Sequence, residues 1–110
     1  MNGTLGALAE PNRLRIVELL RQGPYSVNEI VGRLELSQPL VSKHLRVLRE
    51  AGLVRVRAEA QQRLYELLPE PFEQLETWVA SFHRLWEDRL DSLDDYVQQM
   101  KRNQSYGKKS

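Results

Sequence analysis

The segment 37–48 carries polar side chains whose types and spacing suit contacts with DNA. Its apolar residues Val41, Leu45 and Leu48 recur at helical spacing, which places them on one face of a helix. The opposite face then carries five residues: Gln38, Pro39, Ser42, Lys43 and Arg46. A glutamine amide pairs with adenine, serine tolerates several bases, and lysine or arginine suits guanine or phosphate. The pattern therefore predicts a helix whose outer face contacts bases and phosphates.

Two further residues bear on the chemistry of this helix. Ser37 precedes the helix and can cap it, and the free amides at that end favour a bound phosphate. His44 lies at the edge of the apolar face, where its imidazole can bond either a phosphate or a neighbouring carbonyl group. The sequence favours neither partner. It places no nucleophile or acid near His44 that would make this histidine a general base.

A second short helix precedes this one along the chain. Ser26 is followed three residues later by Glu29, and this capping box marks the beginning of a helix. Residues 35–37 then predict a short turn between the two helices. Two short helices joined in this way form a helix-turn-helix, whose second helix enters the major groove of DNA.

A hairpin is predicted directly after the helix-turn-helix. Apolar and basic side chains alternate over residues 53–57, alternation returns over residues 62–67, and residues 59–61 form the turn between the two strands. In a winged helix-turn-helix such a hairpin, the wing, lies along the DNA backbone. The sequence therefore predicts a mostly α-helical fold with a small β-hairpin.

The N-terminal region predicts two more helices. Thr4 is expected to cap a short first helix that directs Leu5 and Leu8 inward. Pro11 suits the first turn of a second helix, which ends before Gly23. The apolar residues expected to face the core from this second helix are Leu14, Ile16, Val17, Leu19 and Leu20.

The C-terminal third predicts one long helix. Its apolar residues recur at steps of three and four, and they are Phe72, Leu75, Val79, Phe82, Trp86, Leu90, Leu93, Val97 and Met100. Such a helix is too long for a 110-residue chain to cover by itself, so its apolar side needs a partner, and a second copy of the chain is the simplest one. The residues predicted to form this homodimer are Leu5, Leu8, Phe72, Leu75, Val79, Phe82, Trp86, Leu90 and Leu93. The predicted organisation is a DNA-binding domain over residues 1–69, a dimerisation helix over residues 70–102 and a disordered tail over residues 103–110.

The distribution of charge supports contact with a polyanion. The net charge is only +1, but residues 37–63 carry six basic and two acidic side chains. Residues 70–100 carry eight acidic and two basic side chains. A basic middle beside an acidic C-terminal segment indicates that the middle binds a polyanion and that the acidic helix lies away from it.

The composition argues against several other classes of protein. The chain has no cysteine, so disulfides, thiolate metal sites and cysteine nucleophiles are excluded. It shows no apolar run of membrane-spanning length and no secretory signal, so we expect a cytoplasmic protein with no membrane partner. It shows no nucleotide-binding loop and no metal triad. We therefore expect neither an enzyme nor a bound cofactor.

Four segments of the sequence together resemble the ArsR/SmtB family of bacterial winged-helix repressors. They are residues 8–16, 36–48, 51–54 and 63–67, and the resemblance extends over residues 5–68. It implies a homodimeric transcription factor, usually a repressor, that binds an inverted repeat in double-stranded DNA of its own promoter region. It also implies which residues face DNA in this sequence. Those on the recognition helix are Ser37, Gln38, Ser42, Lys43 and His44, and the wing arginines Arg57 and Arg63 contact the backbone.

The sequence departs from the family pattern at its sensing sites and at the wing tip. Metal-sensing members carry a cysteine pair in the helix before the recognition helix, and residues 28–34 contain none. A second family site uses aspartate, histidines and glutamate on the C-terminal helices, where this chain offers only His83 with Glu87 four residues on. An ion pair on the surface is the favoured role of these two residues, and no metal site is predicted. Residues 60–62 replace the usual glycine and arginine of the wing tip.

The sequence therefore predicts a winged helix-turn-helix domain with a long C-terminal dimerisation helix. Its predicted function is sequence-specific DNA binding that represses transcription, with the effector unassigned. The alternative is a dimeric winged-helix module that binds proteins and has no role with DNA. That alternative explains the fold equally well, but it does not explain the outward-facing Gln38, Ser42, Lys43 and Arg46.

Overall fold

A computed structural model of the chain describes the backbone of residues 2–108 and the side chains of residues 3–103. The elements in order are α1 (Asn2–Leu8), α2 (Pro11–Leu20), α3 (Val27–Leu34), α4 (Gln38–Glu50), β1 (Val54–Glu59), β2 (Gln62–Leu67) and α5 (Pro69–Lys108). This architecture confirms the predicted fold, mostly α-helical with one hairpin. The chain divides into two compact units, residues 1–75 and residues 76–110.

Side-chain caps fix where the helices of the first unit begin. Glu10 caps α2 because its carboxylate accepts a hydrogen bond from the Arg13 amide at 2.8 Å. The predicted capping box is confirmed, since the Ser26 hydroxyl accepts from the Glu29 amide and the Glu29 carboxylate accepts from the Ser26 amide. Ser37 caps α4 as predicted, with its hydroxyl accepting from the Leu40 amide at 3.4 Å. These caps satisfy backbone amides at the starts of three helices.

The core of the first unit lies between α2, α3, α4 and the hairpin. Its buried side chains come from every one of these elements, and they are Ile16, Val17, Leu19, Leu20, Ile30, Val41, Leu45, Leu48 and Val54, with Ala7 from α1 and Leu53 from the loop before β1. Half-buried residues such as Leu8, Tyr65 and Phe72 pack around this cluster. The core therefore supports α4 from one side and leaves its other side exposed.

Three predictions for the N-terminal helices are wrong. Helix α1 begins at Asn2, so Thr4 lies inside the helix and is buried together with Ala7, while Leu5 is exposed. Threonine and alanine three residues apart share the inward face of α1, and Leu5 lies on the other side. Leu14 is 44% exposed, because at 100° per residue it lies about 160° around the helix from the buried Ile16.

The hairpin turn is shorter than predicted. Glu59 pairs with Gln62, so only Ala60 and Gln61 form the turn, and β1 begins at Val54. Ala60 has a φ of 54°, a conformation that residues with a Cβ rarely adopt. A third short segment pairs with the hairpin, since Tyr25 and Tyr65 exchange two backbone hydrogen bonds of 3.1 and 2.8 Å. The wing is thereby joined to the loop before α3.

Helix α5 is longer than the predicted dimerisation helix. It continues to Lys108, since residues 101–106 contain no proline or glycine to end it. Part of the predicted disordered tail is therefore helical, and residues 109 and 110 lie outside the described residues. The first unit ends after Leu75 rather than at residue 69, because Phe72 of α5 packs against the core.

Candidate nucleic-acid interface

Helix α4 presents the polar surface that the sequence predicts. Its side chains Val41, Leu45 and Leu48 are buried in the core. The predicted outward residues are all exposed, namely Gln38, Pro39, Ser42, Lys43 and Arg46. Because the buried face fixes the rotation of the helix, the exposed face is fixed as well. The geometry can bring amide, hydroxyl, ammonium and guanidinium groups to one DNA groove.

The turn before α4 is tight and polar. Glu35 ends α3 in a left-handed conformation with a φ of 55°, which reverses the chain within three residues. The Arg15 guanidinium donates a hydrogen bond of 3.0 Å to the Leu34 carbonyl and so binds the end of α3 to α2. The start of α4 is exposed at Ser37. Pro39 has no amide hydrogen, and the Leu40 and Val41 amides donate to the Ser37 hydroxyl and carbonyl, so the first turn leaves the Gln38 amide for an anion.

His44 is placed differently from the other predicted DNA contacts. The residue is only 6% exposed, and its Nε2 lies 3.5 Å from an Oε2 carboxylate oxygen of Glu10. Its Nδ1 is buried, without a hydrogen-bond partner among the described residues. The imidazole therefore faces α2 and lies beside a carboxylate rather than the carbonyl group weighed from the sequence, while a contact of His44 with phosphate stays a prediction. Its spacing of three from Val41 and four from Leu48 already places it beside the buried stripe.

The two wing arginines predicted to contact DNA lie on opposite faces of the hairpin. Arg57 pairs in register with Leu64, and Arg63 pairs with Ala58. Because side chains alternate along a strand, Arg57 shares its face with Arg55 and Glu66, while Arg63 does not. Both arginines are exposed. The structure therefore does not bring the two guanidinium groups to one surface of the wing.

Arg57 is also engaged in ion pairs within the wing. Its two terminal nitrogens lie 3.2 Å from Glu59 and 3.7 Å from Glu66. Arg55, which the site prediction omitted, donates from Nε to Glu66 at 2.6 Å and stands directly opposite it in the register. This pairing was missed because the cross-strand register depends on the turn length, and the predicted turn was one residue too long.

The second unit is a helix with a broad apolar face. The exposed apolar residues of α5 are Trp78, Val79, Phe82, Leu85, Trp86, Leu90, Leu93, Tyr96, Val97 and Met100. At 100° per residue they cover about 140° of the helix surface, wider than a two-helix seam needs. Trp78 and Phe82 already contact each other edge to face, with ring centroids 5.0 Å apart. The sequence assigned Trp78 together with Trp86 to the dimer core, but the prediction missed Leu85 and Tyr96, which widen the apolar face.

Among the side chains of residues 3–103, no group of three His, Asp or Glu residues converges as a metal site would. Within the described residues, no helix is both long and apolar enough to cross a membrane.

Comparison with known proteins identifies the family. Residues 10–56 match the model of the bacterial regulatory proteins of the arsR family. The transcriptional activator HlyU of Vibrio cholerae is 40% identical over 82 residues, which cover 74% of this chain and 73% of that protein. The chain belongs to the ArsR family. The match includes α2, α3 and α4 and the beginning of the wing.

Two further relatives show how much of the chain is similar and which domain it shares with them. The biofilm growth-associated repressor of Agrobacterium fabrum is 48% identical over 63 residues, or 57% of this chain, and the chain spans about half (54%) of that relative's length. The homodimeric winged helix-turn-helix DNA-binding domain of Mb0332 from Mycobacterium bovis superposes with a TM-score of 0.63 and is 29% identical, covering 74% of this chain and 76% of that one. This ArsR-family chain thus carries the winged helix-turn-helix DNA-binding domain of a transcriptional regulator. The relatives named here are regulators rather than enzymes.

Proposed function

We propose that this ArsR-family chain acts as a homodimer that binds a palindromic operator and represses transcription. The observation that carries the proposal is the exposed polar face of α4, held in one rotation by Val41, Leu45 and Leu48. Gln38 and Ser42 are the proposed base contacts, and Lys43 and Arg46 the proposed contacts with guanine or phosphate. Ser37 and Pro39 bring the first turn of α4 close to the backbone.

The proposed dimer interface consists of the apolar face of α5 with Leu5 of α1. Trp86 and Leu93 are 60% and 59% exposed, and side chains of this size contribute binding energy when a partner covers them. Leu5 is exposed, and the half-buried Leu8 and Leu75 can contribute their remaining surface. Phe72 contributes less than predicted because it packs against the core of its own unit. The homodimeric Mycobacterium bovis domain supports this assembly.

A homodimer explains how the short helix α4 can give sequence-specific DNA binding. Two recognition helices held about 34–36 Å apart read two half-sites of an inverted repeat, one helical turn of DNA from each other. The two relatives differ in their effect, since the Agrobacterium protein is named a repressor and the Vibrio protein an activator. Repression by covering a promoter needs only tight binding, whereas activation needs an additional contact with the transcription machinery, so repression is the simpler proposal.

Fluorescence anisotropy with labelled duplexes tests this function. The full chain is titrated into DNA from upstream of its own gene and into a scrambled duplex of the same composition, at several salt concentrations. We expect binding of one dimer per site with a preference of about 10³ or more for the upstream duplex. We also expect the affinity for both duplexes to fall steeply with salt, because phosphate contacts release counterions.

The alternative is a dimeric protein-binding module of the same fold. Equal, weak binding to both duplexes that disappears at physiological salt would support that alternative and reject the proposed function. Sedimentation of the same sample separates a dimer without DNA specificity from a monomer that cannot span two half-sites.

A further inference from the structure

The charges on one face of the wing cancel within the protein. Arg55 and Arg57 share this face with Glu59 and Glu66, and three ion pairs of 2.6, 3.2 and 3.7 Å connect the four side chains. Glu66 is only 15% exposed and offers one oxygen to each arginine. The face therefore carries two positive and two negative charges. The sequence alone shows only that residues 37–63, to which Arg55, Arg57 and Glu59 belong, have a net positive charge.

The two arginines of this face differ in how many carboxylates pair with their guanidinium groups. Arg57 has a carboxylate beside each of its two terminal nitrogens, Glu66 at one and Glu59 at the other. Arg55 is bound through Nε to Glu66, which orients the guanidinium, and among the described side chains no second carboxylate pairs with Arg55. A phosphate offers the same pair of acceptor oxygens that a carboxylate does. A DNA phosphate must therefore displace Glu59 or share Arg57 with it.

We propose that Glu59 is an internal competitor of DNA phosphate for Arg57, and that it sets the strength of the wing contact. The inference rests on the proposed function, since it concerns how that wing binds the DNA backbone. In the free protein Glu59 neutralises Arg57, while Arg55 remains the arginine of this face that is open to phosphate. Arg63, on the other face, has no carboxylate within ion-pair distance among the described side chains and contributes independently of Glu59.

Removing the competing charge tests the proposal. Glu59 is 63% exposed near the wing tip, so Glu59→Gln changes the charge without changing the core. We expect E59Q to bind a scrambled duplex about two- to eightfold more tightly at 0.1 M salt, with a salt slope steeper by up to about 0.9. The matched control is Glu18→Gln. Glu18 forms a similar exposed pair with Arg21 at 2.8 Å on α2, and its substitution removes the same charge.

A double variant separates competition for Arg57 from a general change in charge. If Glu59 acts through Arg57, E59Q in an R57A background raises the affinity no more than E18Q does. An equal gain from E59Q with and without Arg57, or an equal gain from E18Q, overturns the proposal. Wild-type chain that shows no preference for upstream DNA rejects the proposed function instead, and the comparison on scrambled DNA remains interpretable in that case.

Discussion

Helix α4 and the second half of α5 are both amphipathic, but only α4 has its apolar face covered by its own chain. Leu45 of α4 is 1% exposed, whereas Trp86 of α5 is 60% exposed. In α4 the core holds the apolar side, so the polar side is the part available for function. In α5 the polar side is solvated, and the exposed apolar side is the part available for contact with a partner. Under the proposed function, the same kind of helix serves DNA recognition in one region and assembly in the other.

The largest expected effect comes from the covered face of α4. Leu45→Ala should lower the free energy of unfolding by about 2–5 kcal/mol, because it leaves a cavity in a close-packed core. Leu93→Ala on α5 is the matched change and should cost less than about 0.5 kcal/mol in dilute, monomeric samples. Urea denaturation followed by circular dichroism measures both values. Equal losses in the free energy of unfolding would show that the two apolar faces are covered to the same extent, which would contradict the difference between α4 and α5.

The uncovered face of α5 should matter for assembly. Trp86→Ala is expected to weaken the dimer by about 2 kcal/mol or more, roughly 30-fold in dissociation constant, because buried tryptophans dominate interfaces. Sedimentation velocity over a range of concentrations measures the change. Gln98→Ala, on the opposite side of α5, is the control and should leave the dimer intact. A W86A protein that stays dimeric at the lowest concentration would remove this residue from the interface.

The exposed face of α4 should matter for sequence discrimination. Gln38→Ala is expected to reduce the preference for the upstream duplex by about 1–3 kcal/mol, the value of an amide paired with adenine. Its effect on unfolding should be small because Gln38 is exposed. Anisotropy with upstream and scrambled duplexes gives the two affinities. A loss of the same size on both would assign Gln38 to the backbone instead of a base.

The smallest expected effect concerns the turn that precedes α4. Glu35→Gly should raise the free energy of unfolding by about 1 kcal/mol, because a left-handed backbone is costly for a residue with a Cβ. Glu50→Gly, at the right-handed end of α4, should instead lower it by roughly 0.5–1 kcal/mol. Thermal denaturation of both variants tests whether the free energy of unfolding rises in one and falls in the other. Destabilisation by Glu35→Gly would show that the Glu35 side chain contributes more than its backbone strain costs.

The sequence predicts local features of this fold better than it predicts contacts between elements. The capping box at Ser26 and the apolar stripe of α4 depend on residues three or four apart, and both are confirmed. The partner of His44 is Glu10, which lies 34 positions earlier and approaches it only after α2 and α4 pack. No pattern of neighbouring residues in the sequence indicates a contact between residues so far apart.

The wing shows how one residue of turn length changes a site. A three-residue turn was predicted, and the observed turn has two residues, so that Arg55 stands opposite Glu66. A shift of one residue in register moves every partner to the other face of a hairpin. The cross-strand ion pairs of Arg55 and Arg57 with Glu66 therefore could not be predicted from a turn that was one residue too long. The exposed residues of α4 needed no such register, and their positions followed from helical spacing alone.

The contacts of Glu10 have a thermodynamic consequence for regulation. Its carboxylate holds the start of α2 and lies beside His44 of α4, while the Arg13 guanidinium donates a hydrogen bond of 2.7 Å to the Ala7 carbonyl of α1. The contacts of Arg13 with Ala7 and Glu10, and of Glu10 with His44, thus connect α1 with α4. Any molecule that binds α1 differently in the free and DNA-bound states must change the operator affinity, and DNA must change the affinity for that molecule by the same factor.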